Sequence, residues 1–241
     1  MRRDGRCDAR LGPVVTSPTV RSVTFDQATP EFIESIAVVS GPVDAPELWG
    51  ELEATPVGEA LLPHLAWIVE RVRAVLTVRA NESTVWSRAI FPLLMLAETG
   101  AVRAWSQVPV RAELAGAEGP IELSGVVDGV LARETALGGQ ARPPFLLVVE
   151  CKRAVDATDP GPQLLAAMLA SIASEPAGVS RERFGCFTVG DSWTFVRAEW
   201  APPAASERAT LRLSWSREYA EVSEGRVLLA ILLGIVRRGG G

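Results

Sequence analysis

The spacing of hydrophobic positions changes period part-way along the chain. Between 59 and 76, Leu61, Leu62, Leu65, Ile68, Val69, Val72, Val75 and Leu76 recur in steps of three and four, and Glu70, Arg71, Arg73 and Arg79 fall largely on the other side. This is the signature of an amphipathic helix. A second helix is predicted from Asn81 or Ser83 to Glu98, with Val85, Trp86, Ala89, Ile90, Leu93, Leu94 and Leu96 as its core side. Pro92 is a kink site inside it and Gly100 its stop. From 102 onward alternation takes over, predicting strands over 102–114, 121–132 and 145–152. A turn is expected at 116–119, and a loop at Gly138-Gly139-Gln140 with Pro143-Pro144. Pro160-Gly161-Pro162 opens a helix over 163–174, with Leu164, Leu165, Met168, Leu169 and Ile172 on its apolar side. Strands follow over 184–189 and 193–199 around the hairpin signal Gly190-Asp191-Ser192. A further strand over 211–215 and an apolar helix over 221–238 complete the pattern.

Residues 1–30 are polar, carry Pro13, Pro18 and Pro30, and read as a loose arm. Short helices or turns, broken by Gly41-Pro42 and Pro46, are expected over 30–56. The organisation predicted is thus an N-terminal arm with short helices over 1–55, partly disordered, and an α/β domain over 56–241 whose mixed central sheet is flanked by helices.

Composition narrows the classes. Hydrophobic residues make up 48% of the 241, enough for a sizeable core. A net charge of −5 and a pI near 5.1 argue against broad non-specific nucleic-acid binding, while leaving room for a local basic surface. Cys7, Cys151 and Cys186 have no metal-ligand spacing and make no disulfide framework, which fits a reducing intracellular compartment, cytoplasmic or nuclear. The basic N-terminus is not followed by the apolar run of a signal peptide, and the apolar stretch over 227–236 is too short to span a bilayer.

The chemistry concentrates around the chain's single lysine. Lys152 stands against 23 arginines, at the end of the apolar run Phe145-Leu146-Leu147-Val148-Val149-Glu150-Cys151-Lys152. An ammonium is a compact charge whose pKa responds to burial, whereas a guanidinium is planar and permanently charged. Glu150 and Lys152 are two residues apart on a strand and therefore share a face, with Cys151 on the other. Asp128 lies in a second apolar strand, in Val126-Val127-Asp128-Gly129-Val130-Leu131. If the two strands pair, Asp128 and Glu150 converge. With the backbone carbonyl of Cys151 they offer hard oxygen ligands for Mg²⁺ or Mn²⁺. Such an ion lowers the pKa of a bound water and neutralises charge on a phosphoryl oxygen; Lys152 would orient or deprotonate the water or stabilise the transition state. A bland reading stands beside this one, in which Lys152 only pairs with Glu150. Unpaired acids in apolar strands cost several kcal/mol, which calls for some partner.

These residues resemble the PD-(D/E)XK nuclease superfamily. Its pattern is an acid on one strand, acid-x-lysine on the next and a helix after it, here Asp128, Glu150-Cys151-Lys152 and the helix after Pro162. The resemblance spans about residues 80–200. It implies a restriction-endonuclease-like fold and adds two site residues. Gln163 matches the glutamine some members carry in the following helix, where it would contact the substrate backbone or the attacking water. Glu82 matches the early-helix glutamate that supports the metal directly or through water, although it is also a good helix-start residue. The segment 187–195 is similar to the strand–turn–strand of type I restriction-subunit nuclease domains. A departure is Val127 before the acid, where proline often stands.

What the resemblance implies is a metal-dependent endo- or exonuclease acting on nucleic acid, DNA above RNA, as a homodimer or part of a larger complex. The alternative is a catalytically silent restriction-endonuclease-like module that binds nucleic acid or a protein partner. His64 has no second candidate for a nucleophilic triad and is expected to be structural. Trp67, Trp86 and Trp105 are expected in the core. Arg71, Arg73, Arg79, Arg88 and Arg153 are candidates for a phosphate-contacting rim.

Overall fold

A computed structural model describes residues 20–75, 79–116, 119–154, 158–175, 181–201 and 208–240. Residues 1–19 of the arm expected over 1–30, and the tip of the 116–119 turn, lie outside the described residues. Three long strands, β3 (Val102–Gly116), β4 (Gly119–Glu134) and β5 (Ala141–Lys152), form an antiparallel meander. A crossover through helix α6 (Gly161–Ala173) returns the chain to β6 (Glu182–Val189), which lies parallel to β5. β7 (Ser192–Ala201) and β8 (Ala209–Ala220) continue antiparallel, and helix α7 (Glu221–Gly240) follows.

The expected α/β class, a mixed sheet between helices, is what forms. The N-terminal segment, however, is part of it. β1 (Arg21–Thr24) pairs parallel with β4, and β2 (Ala37–Ser40) pairs parallel with β8, so the sheet has eight strands among the described residues. Helix α1 (Pro30–Ile36) stands between these two strands and α2 (Pro46–Glu53) follows them. Residues 21–40 thus add two strands to the sheet, β2 at the β8 edge and β1 on the side of β4 that it shares with β5, so the expected boundary at 55 cuts across the sheet. The prolines placed in a loop, Pro143 and Pro144, lie instead inside β5. They fall where the pairing with β4 steps from Arg133↔Arg142 to Ala132↔Phe145, a register irregularity that asks no N–H of them.

On one face of the sheet, α2, α3 (Leu62–Arg73), α7 and the helical stretch from α4 to α5 bury Leu52, Ile68, Leu93 and Leu228 against Leu147, Val149, Cys186 and Phe195. On the other, α1 and α6 bury Ile33, Leu164 and Met168 against Val130, Val148 and Val196. Each fully buried aliphatic side chain here is worth roughly 1.5–3 kcal/mol of transfer free energy. Trp67 is not in the core: it is 59% exposed, because the α3 core stripe runs through Leu65, Ile68 and Val72. Trp86 and Trp105 are half-buried. No helix among the described residues is long and apolar enough to cross a membrane.

The predicted 81–98 helix breaks into three pieces. Asn81 caps α4 (Glu82–Val85) by accepting the Thr84 N–H at 2.8 Å. A π-helical turn, Trp86–Ile90, follows, in which the Phe91 N–H bonds the Trp86 carbonyl; α5 (Phe91–Leu96) then resumes. Pro92 has no N–H for the carbonyl four residues back, and the wider turn sits just before it.

Candidate functional site

β3 occupies one edge of β4 along nearly its whole length, so β1 and β5 share the other edge. β1 pairs with Ile121 to Ser124 and β5 with Gly129 to Glu134, which leaves a fork between them. Asp128 stands in that fork. The last β4–β5 pair is Gly129↔Val149, and beyond it β5 carries Glu150, Cys151 and Lys152 away from β4.

Asp128 is aimed by a local shift in alternation. Leu123 and Val127 face the α6 side with odd numbers, whereas Val130 and Ala132 face it with even ones and Leu131 faces the opposite core. The switch coincides with Gln107 on β3, whose φ of 53° is left-handed. Gln107 and Asp128 drop out of a ladder that is regular on both sides, Ser106↔Gly129 and Val108↔Val127. Such irregularities re-aim side chains. The Asp128 carboxylate accepts the Cys151 N–H at 2.8 Å through Oδ2 and the Gln107 side-chain amide at 3.1 Å through Oδ1. Ser106 donates its hydroxyl to the Asp128 carbonyl and accepts the Trp86 indole N–H at 3.0 Å. Through Trp86, the helix that starts at Glu82 is pinned to the strand that carries Asp128.

Glu150 is 3% exposed and accepts from the Lys152 ammonium at 2.7 Å. The pair faces the α6 side, next to Val148. Burial, followed by the charge of Asp128, pushes the Glu150 carboxyl up to about 7 against the pull of Lys152. Burial also raises Asp128, with Glu82 adding to it, although the Cys151 and Gln107 hydrogen bonds and Lys152 oppose the rise. Burial alone would lower the Lys152 amine; the hydrogen bond to Glu150 and the charges of Glu150, Glu82 and Asp128 outweigh it and hold the amine above its ordinary value. Lys152 is therefore a cation here rather than a ready base.

The fold thus brings Asp128, Glu150 and Lys152 together and places Glu82 within electrostatic reach of all three. Gln163 stands half-buried in the first turn of α6, on the same side of the sheet as Glu150, with no hydrogen bond to the acids or to Lys152 among the described residues. The Cys151 side chain is buried in the opposite core with a thiol pushed up to about 12 by burial, as its place between Glu150 and Lys152 predicts. Its backbone is turned to the fork: the N–H reaches Asp128, and the carbonyl of a strand residue shares the edge of its N–H. Among the described residues no three His, Cys, Asp or Glu side chains form a metal-holding group, so Glu82 does not complete a carboxylate triad. The buried Glu150 and half-buried Asp128 carboxylates with one ammonium, a third carboxylate within electrostatic reach and the Cys151 carbonyl at the strand edge are nevertheless a donor set that fits Mg²⁺ or Mn²⁺, ions that keep several waters. Of the candidate phosphate rim, Arg71 stacks on the exposed Trp67 ring, 4.7 Å from its centroid, and Arg73 pairs with Glu70. His64 is exposed, its ring nitrogen near the Ala60 carbonyl.

Gln107 and Ser106 are site-supporting residues that periodicity did not single out, and Trp86, expected only as core, supports the site through its indole N–H. Two substitutions test their roles. Gln107→Gly and Gln107→Ala both remove the contact to Asp128, but glycine tolerates the left-handed backbone that alanine does not. Gln107→Gly is expected to be more stable than Gln107→Ala by about 1 kcal/mol in denaturant titration. At Gly129, any Cβ would press into the Trp86 ring and crowd the Trp105 carbonyl. Gly129→Ala should cost roughly 1–3 kcal/mol by overpacking, read as a lower denaturation midpoint.

The chain matches none of the protein-family models and none of the curated proteins with which it was compared.

Proposed function

We propose that this protein is a metal-dependent nuclease of the PD-(D/E)XK type, hydrolysing phosphodiester bonds in nucleic acid, DNA in the first instance. The observation that carries the reading is the fork: two carboxylates raised by burial, Glu150 further by the charge of Asp128, with the chain's only lysine hydrogen-bonded to Glu150. Asp128, Glu150 and the Cys151 carbonyl would hold Mg²⁺ or Mn²⁺, with Glu82 acting through water. When bound, the ion supplies a water of lowered pKa and charge neutralisation at the phosphoryl oxygens.

The chain's own residues do the rest. Glu150 orients the Lys152 ammonium, and that fixed positive charge stabilises the anionic transition state more than it removes protons. Gln107 and the Cys151 N–H hold the Asp128 carboxylate in one orientation. Gln163, at the start of α6, would contact the substrate backbone.

A second reading, a silent module that binds without cutting, is favoured by one observation: Lys152 and Glu150 already satisfy each other and no three-ligand group forms among the described residues. Incubation of the purified chain with plasmid, linear and single-stranded DNA, with Mg²⁺, Mn²⁺ or chelator, separates the two. Cleavage that requires the cation is expected. Intact substrate under every condition would reject the nuclease and leave the binding module.

A further inference from the structure

β3 is 15 residues long and has a neighbour on one side only: it pairs with β4, and no strand among the described residues lies along its other edge. The direction of its backbone groups changes at Gln107. Before that residue, even-numbered positions turn their N–H groups away from β4. Val102 donates to the Thr99 carbonyl, and Ala104 to the Glu98 carboxylate at 3.0 Å. The side chains of both face the α7 core. Beyond Gln107, the even positions Val108, Val110, Ala112 and Leu114 face the α6 core instead. In a strand of fixed direction the side chain and the N–H of a position reverse together, so here the odd positions Pro109, Arg111 and Glu113 carry the outward groups. A sheet tolerates proline where the missing N–H would point to solvent, and Pro109 meets that condition. An edge of this kind is a template on which another strand adds.

The sequence along this edge is complementary to itself. Val110-Arg111-Ala112-Glu113-Leu114 reads apolar, charged, small, charged, apolar from either end, with the sign of the charge exchanged. Arg111 and Glu113 are exposed. If a second copy pairs antiparallel, outward groups must meet outward groups, so odd positions face odd positions. Three registers centred close to Ala112 satisfy this. One sets Arg111 against Arg111 of the second copy, and another Glu113 against Glu113. The third sets Arg111 against Glu113 on both sides of the two-fold axis, which replaces a destabilising pair by a stabilising one. Within its own chain Glu113 stands directly opposite Glu122 on β4, a pair of like charges, and it has no ion pair among the described residues. Arg111 pairs with Glu122, yet its side chain remains 73% exposed, and a guanidinium with five N–H donors can bridge two carboxylates. The third register therefore gives Glu113 the counter-charge that its own chain does not. It also brings Val110 against Leu114 of the second copy on the α6 face, extending that core across the join.

We propose that β3 is a homodimer interface, in which two copies pair antiparallel through residues 108–116 about a two-fold axis at Ala112. The axis stands perpendicular to the sheet, so α6 and the fork lie on the same side in both copies. The interface does not depend on what the fork does. Sedimentation velocity of the full chain, from low micromolar to a few hundred micromolar, is expected to show a monomer passing into a dimer. Arg111→Glu and Glu113→Arg each turn both symmetry-related contacts repulsive, and each should weaken self-association about tenfold or more. An equimolar mixture of the two variants restores opposite charges at both contacts. It should associate as the parent does, a recovery that misfolding of either variant could not produce. Three outcomes overturn the proposal. A parent that stays monomeric throughout would leave the edge to a different chain. Variants that each self-associate like the parent would place the dimer elsewhere on the surface. A mixture no more associated than its components would reject the register.

Discussion

Lys152→Ala is expected to lower cation-dependent cleavage by roughly 10²–10³-fold, the scale of removing one preorganised charge from a transition state. Glu150→Gln should lose at least as much, because it removes both a candidate ligand and the partner that orients the ammonium. Lys152→Arg should recover little. The Lys152 side chain is only 17% exposed, and a planar guanidinium does not fit the space that a compact ammonium fills beside Glu150. Stability and activity should separate at Glu150 and fall together at Lys152. Glu150→Gln removes a buried carboxyl whose pKa is pushed to about 7, so the variant should melt no lower than the parent at neutral pH. Lys152→Ala leaves Glu150 and Asp128 without their counter-charge and should melt lower. The measurement is cleavage rate and melting temperature on the same preparations. Cleavage that survives either Glu150→Gln or Lys152→Ala would mean that the activity resides elsewhere.

Glu221 should make the fold lose stability as pH rises from mildly acidic to about 8. It opens α7 fully buried, accepts the Trp193 indole N–H at 3.0 Å on one oxygen, and has no partner for the other among the described residues. Burial, with the charge of Asp191 adding to it and the indole bond opposing, pushes its carboxyl up to about 8. In the unfolded chain the same group titrates near 4.3. Between these values the native state holds a proton that the unfolded state has released, so stability falls as pH rises from about 4.5 to 8 and levels off above. The loss is on the order of a few kcal/mol. Glu221→Gln keeps an acceptor for Trp193 and cannot ionise, at the cost of burying an amide whose N–H groups need acceptors. The variant should match the parent near pH 5 and exceed it by about 2 kcal/mol at pH 8.5, several degrees in melting temperature. Because Glu150 titrates in the same window, the quantity to read is the difference between parent and variant across pH. Parallel stability curves would show that Glu221 stays charged when folded.

What the sequence made legible follows the range of the signals. Alternation and turn residues are local, and they located β3, β4, β5, the Gly190-Asp191 hairpin and α6 to within a few residues. β1 and β2 were missed because each is four residues long and pairs parallel with a distant segment, Arg21 with Ile121 and Ala37 with Ala209, leaving no hairpin to announce it. Trp67 was readable in principle: the stripe Leu65, Ile68, Val72 puts position 67 on the outside. The acids and the lysine were legible because charge in an apolar strand is conspicuous. Gln107 was not, since a glutamine carries no mark of a left-handed backbone, and the aim of Asp128 depends on it.

Cys151 has one consequence beyond ligand geometry. Its thiol is packed among the side chains beneath the sheet, while its amide proton grips the Asp128 carboxylate above the fork. The residue between the glutamate and the lysine is thus chemically neutral but mechanically committed. A larger side chain there, such as Cys151→Leu, would have to lift the strand or displace the core, and either movement reaches the carboxylate through a single hydrogen bond. The tuning of this site is accessible from the interior, by residues that never meet a substrate.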